Sequence, residues 1–350
     1  MPHSKAGWTL VPAWLVACIF IPLSRAGYPK QSRADTSAQD VRNKIRVESN
    51  LVILSVTVKD AGGHLVSGLQ QNDFQVFDDA VEQKIAAFTD HGLPLSLLIL
   101  IDSDMKWKEG TAMTRSLRAI AGGLSDTDEA MVCRFDMLFY PGNEFTNVEG
   151  NLISALKAAA TAAQPEPPYI PQPTITDRSS TSGPPPLPAP VYAGARSTKA
   201  LDDAICSAAD LLQHRARDRR RIILLISDGA NEPKLNHHTQ PEVVESLLQG
   251  NITLYTLAVG SNRSKRRFSK VEDYSSQSGG AIFYAVESSA MEILYGRITE
   301  RARHDYTIAY APVGNNANSK YHTLRVTTKA GLTASTRSGY YTIATDAPSR

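Results

Sequence analysis

From Leu95 onward the chain keeps switching between two hydrophobic periods, and this alternation limits its possible folds more than any other feature. "LSLLILID" (95–102), "EAMVCRFD" (129–136), "RIILLISDG" (221–229), "ITLYTLAVG" (252–260) and "AIFYAV" (281–286) are short, largely apolar runs. Runs of that length with little polar alternation suit strands covered on both faces. Between and around them lie stretches with helical spacing. "AMTRSLRAIAGGL" carries Met113, Leu117 and Ile120 on one stripe, and "LDDAICSAADLLQHRA" carries Ile205, Ala208, Ala209 and Leu212. "NLISALKAAATAA", "SKVEDYSSQSG" and the closing "SAMEILYGRITERARHD" read the same way, and "PEVVESLLQG" is opened by Pro241 and closed by Gly250. Strand and helix in alternation predict an α/β fold: a mostly parallel sheet with helices on both faces.

Both ends of the chain depart from this rhythm. In "IRVESNLVILSVTVKDAGG", Val52, Leu54, Val56 and Val58 alternate with Ile53, Ser55 and Thr57 before a turn at Asp60-Ala61-Gly62-Gly63. "FQVFDD" and "QKIAAFTD" follow as further strands. "DYTIAYAPV", "YHTLRVTTK" and "LTASTRSGYYTI" close the chain with no helix between them. The expectation is a small β-module made from both ends. The partition is then 46–90 for the first β-strands, 91–304 for the α/β domain and 305–344 for C-terminal strands that pair with the first block. Residues 165–190 hold ten of the twenty prolines. That stretch cannot be a helix or a central strand, so it reads as an extended surface insertion in the α/β domain.

The first 26 residues read as an export signal. Lys5 precedes the apolar "WTLVPAWLVACIFIPL", and Ser24 and Ala26 place small residues for cleavage after Ala26. The stretch contains Pro12 and Pro22 and is short for a span of about 20 residues. An uncleaved anchor or lipidation at Cys18 are the alternatives. Residues 27–45 are polar and unpatterned and read as a flexible lead. The mature chain is expected to have no integral membrane span and to be exported: secreted, periplasmic or held at the cell envelope. Without the first 26 residues the 37 basic and 35 acidic side chains become 35 of each. That balance argues against a nucleic-acid partner. The basic runs "HRARDRRR" (214–221) and "SNRSKRRFSK" (261–270) read as solvated loop charge. Cys133 and Cys206 either pair as one disulfide or lie buried as two thiols.

Chemistry should collect at the carboxyl ends of the parallel strands. Two apolar runs each deliver acid there: Asp102 with Asp104 after one, and Asp228 after the other. No nucleophile elbow, P-loop or dinucleotide fingerprint occurs. His237 and His238 have no third ligand at metal-binding spacing.

At this point the chain resembles the von Willebrand factor type A (vWFA) domain, in particular the secreted bacterial VWFA-related group. The likeness runs from about residue 46 to 343. It is carried by "VTVKDAGGHLVSGLQQNDFQVFDDAVEQKIAAFTDHGLPLSLLILID", "LDDAI", "LLISDGANEP", "ITLYTLAVG", "SGGAIFYAV", "DYTIAYAP" and "STRSGYYT". The resemblance implies a Rossmann-like α/β domain flanked by β-structure, with a metal-ion-dependent adhesion site at the sheet top. There an Asp-x-Ser-x-Ser loop, a Thr and an Asp hold magnesium, and a partner's carboxylate completes the coordination. Asp102 matches the family's first Asp, and Asp228 matches the Asp of its "DG" turn. Asp104 and Lys106 stand where the two serines belong. Lys199 stands at the Thr position, with Thr198, and more weakly Ser197, beside it.

Three arrangements remain open. One is an altered site in which Asp102, Asp104, Asp228 and Thr198 hold a magnesium or manganese ion. In the second, Lys106 or Lys199 replaces the ion. In the third, the acids are unconnected strand ends. The expected function is binding rather than catalysis: an exported vWFA-like protein engaging a protein partner through its sheet top. The alternatives are a structural or assembly module of the envelope with an inactive metal site and, further off, a hydrolase.

Overall fold

A computed structural model describes residues 39–45, 51–103, 122–161, 199–259, 266–285, 303–313 and 320–342, with residues 296, 300 and 301. The chain enters through β1 (Val52–Lys59), β2 (Gln75–Asp78), β3 (Val81–Gln83) and β4 (Ile85–Thr89). It leaves through β11 (Tyr306–Tyr310), β12 (Tyr321–Thr327), β13 (Thr333–Ser335) and β14 (Gly339–Tyr341). These eight strands form two antiparallel sheets, ordered β13-β1-β11-β4 and β14-β12-β2-β3. The period-two pattern of β1 has a direct consequence. Val52, Leu54, Val56 and Val58 all point into a core shared with Phe74, Val76, Tyr306, Ile308, Tyr310 and Val326. Neither chain end could bury that face alone.

The middle of the chain builds β5 (Leu95–Asp102), β6 (Glu129–Phe135), β7 (Phe139–Tyr140), β8 (Arg220–Ser227), β9 (Ile252–Val259) and β10 (Ala281–Ala285). Its helices are α1 (Glu149–Thr161), α2 (Leu201–Gln213), α3 (Gln240–Gln249) and α4 (Ser269–Gln277). The sheet is ordered β10-β9-β8-β5-β6-β7, parallel except for the short edge strand β7. All eight residues of β5 are buried, because helices cover both of its faces. Leu97, Ile99 and Ile101 pack with Leu152 and Leu156 of α1. Leu98 and Leu100 pack with Ile205 and Leu212 of α2 and Leu247 of α3. The α/β class expected from the sequence is the class found. From β5 the chain runs to β6 on one side and then crosses to β8 on the other. The strand order therefore reverses at β5, and the carboxyl end of such a switch strand is where open α/β sheets place their sites.

The structure differs from the sequence reading at several points. Residues 39–45 are not flexible lead but helical. Val41 and Ile45, four residues apart, are buried with Ala87, Leu93 and Ala309. Arg42 lies 3.3 Å from Asp218, and Lys44 donates to the carbonyl of Ala86 at 2.8 Å. The basic run 214–221 is not solvated loop charge. Arg215 and Arg219 pair with Glu129, and Arg220 is buried against Asp305 at 2.6 Å. The run enters β8 at the sheet's amino end, where acids from other elements wait for it. "QKIAAFTD" is divided between β3 and β4, and the last stretch between β13 and β14. Cys133 and Cys206 are buried free thiols in one apolar cluster. Burial pushes Cys133 up to about 11 and Cys206 to about 12. The segment 1–26, most of the helix expected after β5, and the insertion 165–190 lie outside the described residues. None of the described helices is long and apolar enough to cross a membrane.

Candidate functional site at the sheet top

Strand alternation aims the site. Leu98 and Leu100 face α2, as do Ile223 and Leu225 of β8. Ile101 is in register with Ile226, so Asp102 and Ser227 come next along their strands and face α2 as well. Ser227 Oγ donates to Asp102 Oδ2 at 2.8 Å. Lys199, two residues before α2, is held by its own backbone. Its carbonyl accepts from the N–H of Glu232 at 2.9 Å, and the N–H of Ala200 donates to the carbonyl of Asp136 at 2.9 Å. From there the Lys199 ammonium reaches Asp102 Oδ2 at 2.8 Å and Asp228 Oδ1 at 3.0 Å. The lysine side chain is 1% exposed and Asp102 is 0% exposed, whereas Asp228 is 34% exposed. The inner acid is sealed and the outer one meets solvent.

Burial alone would lower the lysine's pKa, but Asp102 first and Asp228 next carry it above the usual lysine value. The ammonium therefore stays charged. Burial raises the Asp102 carboxyl above the ordinary aspartate value, against the pull of Lys199 and Ser227. Both donors aim at one oxygen of Asp102, a geometry that calls for an acceptor.

The turn after β8 completes the site. Gly229 has φ of +73°, and a Cβ there would lie 2.7 Å from the Phe268 ring. Only glycine satisfies both demands. The N–H of Gly229 donates to Ser227 Oγ at 3.1 Å, and the N–H of Ala230 donates to Asp228 Oδ1 at 2.9 Å. The same turn caps α2 from a distance. Asn231 Oδ1 accepts from the N–H of Leu201, and Asn236 Oδ1 accepts from the N–H groups of Asp202 and Asp203. His237 and His238 close around Asp203, each Nδ1 within 2.8 Å of one of its oxygens. Burial pushes the Asp203 carboxyl up, but the hydrogen bonds from His237 and His238 outweigh it and bring the pKa down to about 2.

The structure thus brings Asp102, Asp228 and Lys199 together. Asp104, Lys106, Thr198 and Ser197 lie outside the described residues. A magnesium or manganese ion would need these carboxylate oxygens at about 2.0–2.2 Å. Between Asp102 and Asp228 stands an ammonium group at hydrogen-bonding distance from both. Among the described residues, the donor set does not fit a divalent ion as it is folded. The role of Ser227 was missed by sequence reasoning, although its place one residue before Asp228 on an alternating strand is a usable signal. A second acidic group, Asp78, Asp79 and His322, sits at the β2–β3 turn. The hydroxyls of Tyr310 and Tyr340 donate to Asp78 at 2.8 Å each. Asp79 accepts from the N–H of Thr323 and lies 2.8 Å from Nδ1 of His322. These bonds tie the ends of the β-module together.

Two kinds of apolar side chain border the sheet top. Met137 and Leu138, at the β6–β7 turn beside Lys199, are 51% and 59% exposed. On the far side of the sheet, Tyr284 of β10 stacks edge-on against Phe268, with ring centres 5.7 Å apart.

No family model and no curated protein matches the sequence. Among solved structures, a von Willebrand factor type A protein from Catenulispora acidiphila is 12% identical with a TM-score of 0.42, over 79% of this chain and 76% of that one. An aerotolerance-related membrane protein from Bacteroides fragilis is 13% identical with a TM-score of 0.38, over 59% of this chain and 99% of that one. The pilus adhesin SpaC from Lactobacillus rhamnosus GG is 9% identical with a TM-score of 0.40, over 79% of this chain and 48% of that one. The fold itself rests on the chain's own six-strand order, with helices on both faces of the sheet.

Proposed function

We propose that this chain is an exported interaction module that holds another protein against the loop end of its six-stranded sheet. The observation that carries this reading is the composition of that end. A rigid polar centre, Lys199 with Asp102 and Asp228, is flanked by exposed Met137 and Leu138 on one side and Tyr284 on the other. Exposed apolar and aromatic side chains around a fixed polar group are what a protein partner can dehydrate and recognise. The reading is binding rather than catalysis because the lysine and its acids satisfy one another, which leaves neither poised as a base. Export rests on the first 26 residues.

The test is site-specific photo-crosslinking in cells that produce the full chain. A crosslinker in place of Leu138 should trap a discrete protein adduct in the envelope or secreted fraction. The same crosslinker in place of His64, which lies on the turn after β1, should trap none. Asp228→Ala should weaken the adduct at 138 by about tenfold, as expected for loss of a central interface group. Equal trapping at both positions, or an adduct indifferent to Asp228, would discard the proposal.

A further inference from the structure

A cation is already present at the sheet top, and it is covalently part of the chain. Lys199 Nζ lies 2.8 Å from Asp102 and 3.0 Å from Asp228, the distances of charge-assisted hydrogen bonds. Those two acids end separate stretches, 126 residues apart in sequence, on or just beyond adjacent strands β5 and β8. Left alone, they would repel each other. With 1% of its side chain exposed, the ammonium has no face open to a partner.

We propose that Lys199 is a built-in replacement for a divalent ion. It clamps the carboxyl ends of β5 and β8 together permanently, so the sheet top is set without metal and no partner group completes a coordination sphere. A corollary is that removing the amine uncovers a latent cation site. Asp102 and Asp228 would then face each other across the space the ammonium had filled, with Ser227 as a neighbouring oxygen. Hard divalent ions favour such a set of oxygens.

The experiment uses the full chain and manganese(II) as the probe. Wild-type protein should show no manganese uptake that depends on Asp228, and its melting temperature should move with neither manganese nor EDTA. Lys199→Ser should take up one manganese per chain, at least about tenfold more tightly than wild type. It should also melt higher in the presence of the ion. Adding Asp228→Asn should abolish both effects. If Lys199→Ser unfolds without metal, manganese should restore its fold by replacing the lost charge.

The proposal fails if wild type binds manganese through Asp228. It also fails if Lys199→Ser, folded or not, gains nothing from the ion. No partner enters these measurements, so this inference and the binding reading can fail separately.

Discussion

At the scale of single residues, the sheet top is governed by one buried charge. Replacing Lys199 with methionine would take the ammonium away from Asp102, which is fully buried, a loss of about 3–5 kcal/mol. Adding Asp102→Asn to that variant should recover part of the loss, because a neutral amide is easier to bury than a carboxylate. Urea unfolding of the single and double variants checks this. Asp203 offers a pH-dependent test. Its carboxyl titrates at about 2 in the folded chain, against an ordinary value of 3.8. Its stabilisation is therefore complete above the ordinary value and is lost as pH falls through about 2. Solvent screening at this partly exposed group limits the effect to about 1 kcal/mol. Asp203→Asn should flatten the acid limb of the stability profile and leave the alkaline limb unchanged. An unchanged acid limb would refute the assignment. The paired acids at 102 and 228 were legible from where the apolar runs stop. The lysine was legible as a residue in the wrong place for the family pattern. The sequence left Lys106, Lys199 or an ion open as what the acids face, and the choice of Lys199 was not legible, because three segments far apart in sequence must meet to make it.

At the scale of elements, α2 shows how a helix can depend on a distant loop. Ala200 precedes it and offers no capping side chain. Asn231 and Asn236 supply the missing acceptors from the turn after β8. Asn236→Ala should cost about 1 kcal/mol, the usual value of a lost cap, and should speed amide exchange at Asp202 and Asp203. Exchange that stays slow there would show that the cap is not needed. Long apolar strands and their order in the chain could be read directly, since burial on both faces leaves a run with little polar interruption. The helical segment at 39–45 could not, because its whole signal is Val41 and Ile45 in a polar stretch. The breaks between β3 and β4 and between β13 and β14 were equally silent, since a strand that ends and resumes keeps its composition.

At the scale of the whole molecule, buried arginines join the six-stranded sheet to the β-module. Arg220, at the start of β8, pairs with Asp305 at 2.6 Å and donates to the Tyr255 hydroxyl at 3.1 Å. Thr57 of β1 donates to the other Asp305 oxygen at 2.6 Å and accepts from Arg301 at 3.1 Å. Arg337 bridges the carbonyls of Leu248 and Ile53, at the end of α3 and in β1, and burial pushes its pKa down to about 10. Asp305→Ala would leave Arg220 buried without its acid and should cost about 3–5 kcal/mol. Unfolding followed by tryptophan fluorescence and circular dichroism should show a lower midpoint. A change under 1 kcal/mol would mean that water replaces the carboxylate at this junction.

By itself, the amino-acid sequence determined the fold class and the positions where acid meets the ends of apolar strands, because hydrophobic period and chain order are local properties that survive in one dimension. Only the tertiary structure decided what those acids face. Coulomb attraction and hydrogen bonding act over a few ångströms of space, and the separation of residues 102, 199 and 228 along the chain says nothing about that distance. The same short range explains why a run of arginines that looked solvated in sequence lies against Glu129 and Asp305 at the base of the sheet.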